Sequence, residues 1–292
     1  VGNALNAPAW SAMLPSLVRP VDLPGALSLN SVVINGSRVV GPIIVAVLSQ
    51  VGVTTAGFFF MNAATYLFVI FALMVVNIPT FTPDPTQGWR RFTSGISLAR
   101  QISGVSRLLL TLATFSLFSL PYVGLFPAVA HVNFGIAEDG SIYKWLYATW
   151  GLGAALGGLA IGTKFSHRDQ RKLVQYGFVG FAVSMVFFAI SRSAVPAFIF
   201  GFILGFAYFF TTTAMSIVVQ SRLKPEMRGR VMSLWFMSFG GTVPLGNMLF
   251  GPIVDQYGAR WLLLFGAAWA LFLAWWCNVS ALDAKNGYLS SK

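Results

Sequence analysis

The chain has 292 residues, of which 56% are hydrophobic, 15% aromatic and only 9% charged, and its mean hydropathy of +0.73 lies far outside the range of soluble globular domains. A net charge of +11 does not mark a nucleic-acid binder here, because the basic residues fall in short connections between apolar runs, where they orient a multi-pass membrane protein. The one cysteine, Cys277, excludes an internal disulfide and a cysteine-based metal cluster.

Residues 1 to 17 read as a short, polar first span without the charged leader of a cleavable signal peptide. About 20 mainly apolar residues cross a bilayer. By that measure further spans are predicted at 31–51, 57–77, 107–132, 142–164, 173–191, 194–219, 231–254 and 260–280, giving an all-α membrane protein of about nine helices. The connections alternate in charge. Arg19, the run Arg90, Arg91, Arg100 and Arg107, then Lys164, Arg168, Arg171 and Lys172, then Arg222, Lys224, Arg228 and Arg230, and last Lys285 and Lys292 fall on one side, which is predicted to be cytoplasmic. That side holds the C-terminus.

One connection, residues 77–106, is longer than the others. Its Pro-rich start breaks helix, and Trp89, Phe92, Ile96 and Leu98 beside Arg90, Arg91 and Arg100 suggest a segment lying along the interface. It divides the chain into a partial N-terminal bundle (1–78), a cytoplasmic linker (79–106) and a six-helix bundle with a short tail (107–292). An internal repeat supports the division: Pro20, Ser28, Leu29 and Gly41 meet Pro225, Ser233, Leu234 and Gly246 at a constant offset of 205. Carried backwards, the offset predicts three spans and the start of a fourth ahead of Val1.

Chemistry-bearing motifs are scarce. There is no Ser-His-Asp order, phosphate-cradling Gly-Lys-Ser/Thr loop or HExxH, and His131 and His167 have no ligand partners at useful spacing, so the expectation is a non-enzyme without cofactor or metal. Arg38 stands inside an apolar span, where an ionisable group is costly. Lying roughly 10 Å from the span's end at 1.5 Å per residue, it either clamps backbone carbonyls near the interface or faces an aqueous cavity. Gly41 and Pro42 shape the backbone beside it. Asp255 reads as a solvated or capping residue, and Glu226 pairs with Arg228 or Arg230.

Two stretches, "SRVVGPII" (37–44) and "KPEMRGRVMSLWFM" (224–237), resemble the Arg-x-x-Gly-Pro signature and the Arg-Gly-Arg connection of the major facilitator superfamily. More narrowly they resemble its enterobactin-exporter-like, transmembrane secretion effector branch. "PLGNMLFGPIVDQYG" (244–258) is similar to that family's eleventh helix. The resemblance implies two bundles of six helices, with this chain equivalent to helices four to twelve. It implies a secondary transporter in the plasma membrane exporting an amphiphilic small molecule, of drug or siderophore class, by alternating access and proton antiport. The antiport signature departs at Val45 and Ala46, where glycines are usual. The alternative expectation is a truncated, non-transporting fragment.

The layout implies a substrate path lined by Arg38, by Phe118, Tyr122 and Phe126 at four-residue spacing, by Trp150 beside Tyr147, and by Tyr208 and Thr212. Rings and hydroxyls on one face suit amphiphilic substrates. Gly41, Pro42, Glu226, Arg228 and Arg230 are expected to gate or pack. The expected partners are a small-molecule substrate, protons and the lipid bilayer, and no nucleic acid.

Overall fold

The structure, a computed structural model, describes residues 47–75, 89–137, 140–223 and 225–278, and before residue 47 only residues 19, 33, 37, 40, 41 and 43–45. Arg38, Pro42 and the span expected at 1–17 therefore lie outside the described residues, as do the side chains of Glu226 and Arg228. The regular elements described are all helices: α1 (Thr55–Val75), α2 (Trp89–Gln101), α3 (Val105–Phe118), α4 (Pro121–Gly124), α5 (Phe126–Phe134), α6 (Ser141–Gly162), α7 (Gln170–Ile190), α8 (Ala194–Ser221), α9 (Pro225–Gly240), α10 (Thr242–Tyr257) and α11 (Ala259–Trp276). Among the described residues, α1, α7, α8 and α11 are each long and apolar enough to cross a membrane. None of α1's residues is buried, so its whole apolar surface is available to lipid or to other helices.

Two expected spans are not single helices. The run predicted at 107–132 is broken into α3, α4 and α5, because Pro121 and Pro127 have no N–H to give the carbonyls four residues earlier. Ser119 and Leu120 both donate to the Phe115 carbonyl, at 2.8 and 3.2 Å, before α4 restarts. The run predicted at 231–254 is divided at Gly241 into α9 and α10. An adjacent pair of glycines there, Gly240 and Gly241, makes the break inexpensive.

Packing follows from where the small residues lie. In lipid, helices gain nothing from leaving water, so close backbone approach supplies the contact energy. Gly153 and Gly157 of α6 face the carbonyls of Phe202 and Phe206 on α8 so closely that a methyl group at either would overlap them, and Gly205 of α8 faces the Trp150 carbonyl in the same way. Helix α8 also packs along α7, and α7 along α11. Between these helices the core is aromatic: Phe115 meets Phe178 and Phe181 edge-on at 5.1 and 4.9 Å, and Phe134 meets Phe188 at 5.0 Å. Such edge-to-face pairs suit the quadrupoles of the rings.

One end of this bundle is pinned by polar contacts. Helix α2 is bent by 118° from α3 and lays Gly95 against the Arg230 carbonyl and Leu234 of α9. At the corner Gly104 takes φ +76°, a left-handed conformation that favours glycine. Arg222 donates to the Ser103 carbonyl at 2.6 Å, and the Arg107 guanidinium lies 4.4 Å over the Trp276 ring. At the start of α7, Asp169 caps the helix by accepting from the Arg171 backbone N–H at 3.0 Å, and its carboxylate is gripped by the Arg171 guanidinium at 2.9 and 3.0 Å. That grip holds the Asp169 carboxyl below its ordinary range, against a smaller upward push from burial.

A carboxyl depressed by folding stabilises the fold above its unfolded pKa, and that contribution disappears as pH falls through the folded value. Asp169→Asn, which keeps a capping oxygen and removes the charge that Arg171 grips, is therefore expected to lower stability by only about 0.5 kcal/mol at neutral pH, the scale of a partly exposed ion pair. The difference between wild type and variant should begin to shrink below about pH 4 and be lost only as pH falls through the lower, folded value. Thermal unfolding in detergent at pH 7 and in steps from about pH 4 down to about pH 2 checks both statements.

Candidate functional site

Helix α6 begins SIYKWLYATW, which places Tyr143, Tyr147 and Trp150 on one face at spacings of four and three. Their rings form a ladder. Tyr143 and Tyr147 stack at 6.3 Å, Tyr147 and Trp150 at 5.4 Å, and Trp150 continues onto Tyr208 of α8 at 6.1 Å, with interplanar angles of 29°, 29° and 23°. The step from α6 to α8 is possible because Gly205 brings the two backbones together at Trp150. Phe126 closes the side of the ladder, with its centroid 6.2 Å from Tyr143, 5.4 Å from Tyr147 and 6.0 Å from Trp150.

One hydrogen bond fixes the tilt of the central rung. Trp150 donates through Nε1 to the Tyr122 hydroxyl at 3.2 Å, and both groups are buried. Tyr122 is available for this because the break before α4 swings it toward α6 and α7, where it also meets Phe181 at 6.3 Å. The half-buried Thr212 lies one turn beyond Tyr208 and donates to the Tyr208 carbonyl at 3.1 Å.

Burial divides the residues that the sequence nominates. Tyr122 and Phe126 are 0% exposed, Tyr208 3% and Trp150 7%, so these four form the inner wall of the ladder. Tyr143 and Tyr147 are only half-buried, and Tyr143 ends the ladder. Phe118 does not share a face with Tyr122 and Phe126, as unbroken helical spacing would require. The break at 119–121 leaves it on the opposite side, packed on Phe250, Phe265 and Trp269 at 6.5, 5.9 and 4.8 Å. Gly41 is helical, with open space where a side chain would stand. Arg230 presents its carbonyl to Gly95 and accepts there from the Ser233 hydroxyl at 2.7 Å, which makes it part of the packing between α2 and α9. Sequence reasoning missed Tyr143, although the spacing Tyr-x-x-x-Tyr-x-x-Trp in "YKWLYATW" was sufficient to find it.

Comparison with known proteins adds the family. The sequence profile described as transmembrane secretion effector matches residues 1–287. The chain belongs to the transmembrane secretion effector family. This family is a branch of the major facilitator superfamily, so the chain is a small-molecule transporter of the multi-pass membrane type. Among its relatives is macrolide efflux protein A of Streptococcus pyogenes, 26% identical over 282 residues that cover 91% of this chain and 67% of the relative. Macrolide efflux protein A of Enterococcus faecalis is 24% identical over 255 residues, covering 84% of this chain and 77% of the relative.

Proposed function

We propose that this transmembrane secretion effector exports an amphiphilic small molecule of the macrolide class by proton-coupled alternating access, with two bundles rocking about a midplane site. The observation that carries the reading is the ladder. Tyr143 and Tyr147 take the apolar body of the substrate, while Trp150, Tyr208, Phe126 and Tyr122 hold those two rings at a fixed tilt. The Tyr147 hydroxyl adds a hydrogen-bonding point beside the apolar faces. In this reading the spans from α1 onward correspond to helices six to twelve of the superfamily layout, and the end of the bundle bearing Arg107, Arg171 and Arg222 faces the cytoplasm. Arg38, Gly41 and Pro42 belong to the helix before α1 in the same layout, and Glu226, Arg228 and Arg230 to the cytoplasmic gate.

Cells producing the protein are expected to retain less radiolabelled erythromycin than cells without it, and a protonophore should abolish the difference. Equal retention in both would refute export of this class. A difference that survives the protonophore would refute the proton coupling.

A further inference from the structure

The break between α3 and α4 is gripped from two sides by residues that the ladder does not use. Because residue 121 is proline, the Leu117 carbonyl has no donor four residues on. Gly246 of α10 covers that carbonyl and the Pro121 ring, so closely that a methyl group would not fit. From α11, Gly266 approaches Ser119, and the Ser119 hydroxyl donates to the Gly266 carbonyl at 2.8 Å. Gly246 is the counterpart of Gly41 in the repeat. The residue that follows it, in the place of Pro42, is Asn247.

Asn247 lies across Gly124, its amide occupying the space where any side chain at 124 would stand. Gly124 is exposed and Asn247 half-buried, so the amide can be reached from outside the packed core. Its Oδ1 is nonetheless buried and accepts no hydrogen bond from the protein, and the Trp269 Nε1, behind Phe118, is buried and donates none. A buried polar atom left unpaired costs free energy, and helix discontinuities in transporters mark where polar substrate groups are received.

We propose that Asn247 is a substrate-binding residue, which hydrogen-bonds a hydroxyl or carbonyl of the amphiphilic substrate at the α3–α4 break. This rests on the export reading given above and adds to it a second polar contact beside the Tyr147 hydroxyl. Gly124 is then required to be glycine so that the amide can lie in place.

Erythromycin export by the wild-type protein and by Asn247→Ala, Asn247→Ser and Gly124→Ala tests this, with melting temperature measured in parallel. Asn247→Ala is expected to raise KM about tenfold, with the maximal rate and the melting temperature little changed. Asn247→Ser, which keeps a hydroxyl, should recover part of the loss, and Gly124→Ala, which displaces the amide without removing it, should reproduce it. An unchanged KM in Asn247→Ala, or a fall in maximal rate that tracks a fall in melting temperature, overturns the assignment and leaves the export reading intact. No export by the wild type overturns both.

Discussion

Gly157→Leu is expected to prevent this bundle from assembling. The position on α6 already lacks room for one methyl group, because the Phe206 carbonyl of α8 lies against it. A leucine must push the two helices apart along the contact that also holds Gly153 and Gly205. Overpacking a core costs about 1–3 kcal/mol where the surroundings can shift. Here the obstacle is backbone on a paired helix, so the loss should be at or above the top of that range. It should also fall on the helix pair that carries Trp150 and Tyr208. Size-exclusion chromatography of detergent-solubilised protein should show aggregate in place of the single peak of wild type. Gly251→Leu, at a position with open space around it, should run like wild type.

Trp150→Ala should remove both stability and transport. The indole stacks on Tyr147 and Tyr208, touches Phe126 and donates to Tyr122, so its deletion leaves a cavity and an unpaired hydroxyl. We expect a loss of about 3 kcal/mol, the low end for large-to-small changes at aromatic core residues, because in lipid the transfer from water is absent and only packing is lost. Tyr122→Phe separates the two effects. It keeps the ring and removes only the acceptor, at a cost of about 1 kcal/mol. Erythromycin export should then persist with a modestly raised KM in Tyr122→Phe and disappear in Trp150→Ala. Melting curves in detergent check the stabilities.

These expectations depend on features that the sequence reveals unevenly. Hydropathy was enough to place α1, α7 and α8, and the boundaries predicted for them are within about three residues of those observed, because long apolar runs have few alternatives in a bilayer. Hydropathy runs unbroken across 107–132, and Pro121 and Pro127 do not by themselves announce the break, because membrane helices often continue through proline. The break is what parts Phe118 from Tyr122 and Phe126. The ladder was half legible: spacing pairs Tyr147 with Trp150 on one helix, whereas the stack of Trp150 on Tyr208 depends on how closely Gly205 lets α6 and α8 approach. Asn247 could not be singled out by composition. Only its place against Gly124 and the break gives it meaning.

Vesicles reconstituted with the purified protein and given an imposed pH gradient test the central claim most directly. Radiolabelled erythromycin should accumulate in them against its own gradient, and Tyr147→Ala, at a half-buried rung of the ladder, should slow that accumulation several-fold with a smaller fall in melting temperature than Trp150→Ala. Accumulation no greater than in protein-free vesicles, or identical rates for wild type and Tyr147→Ala, would contradict the account.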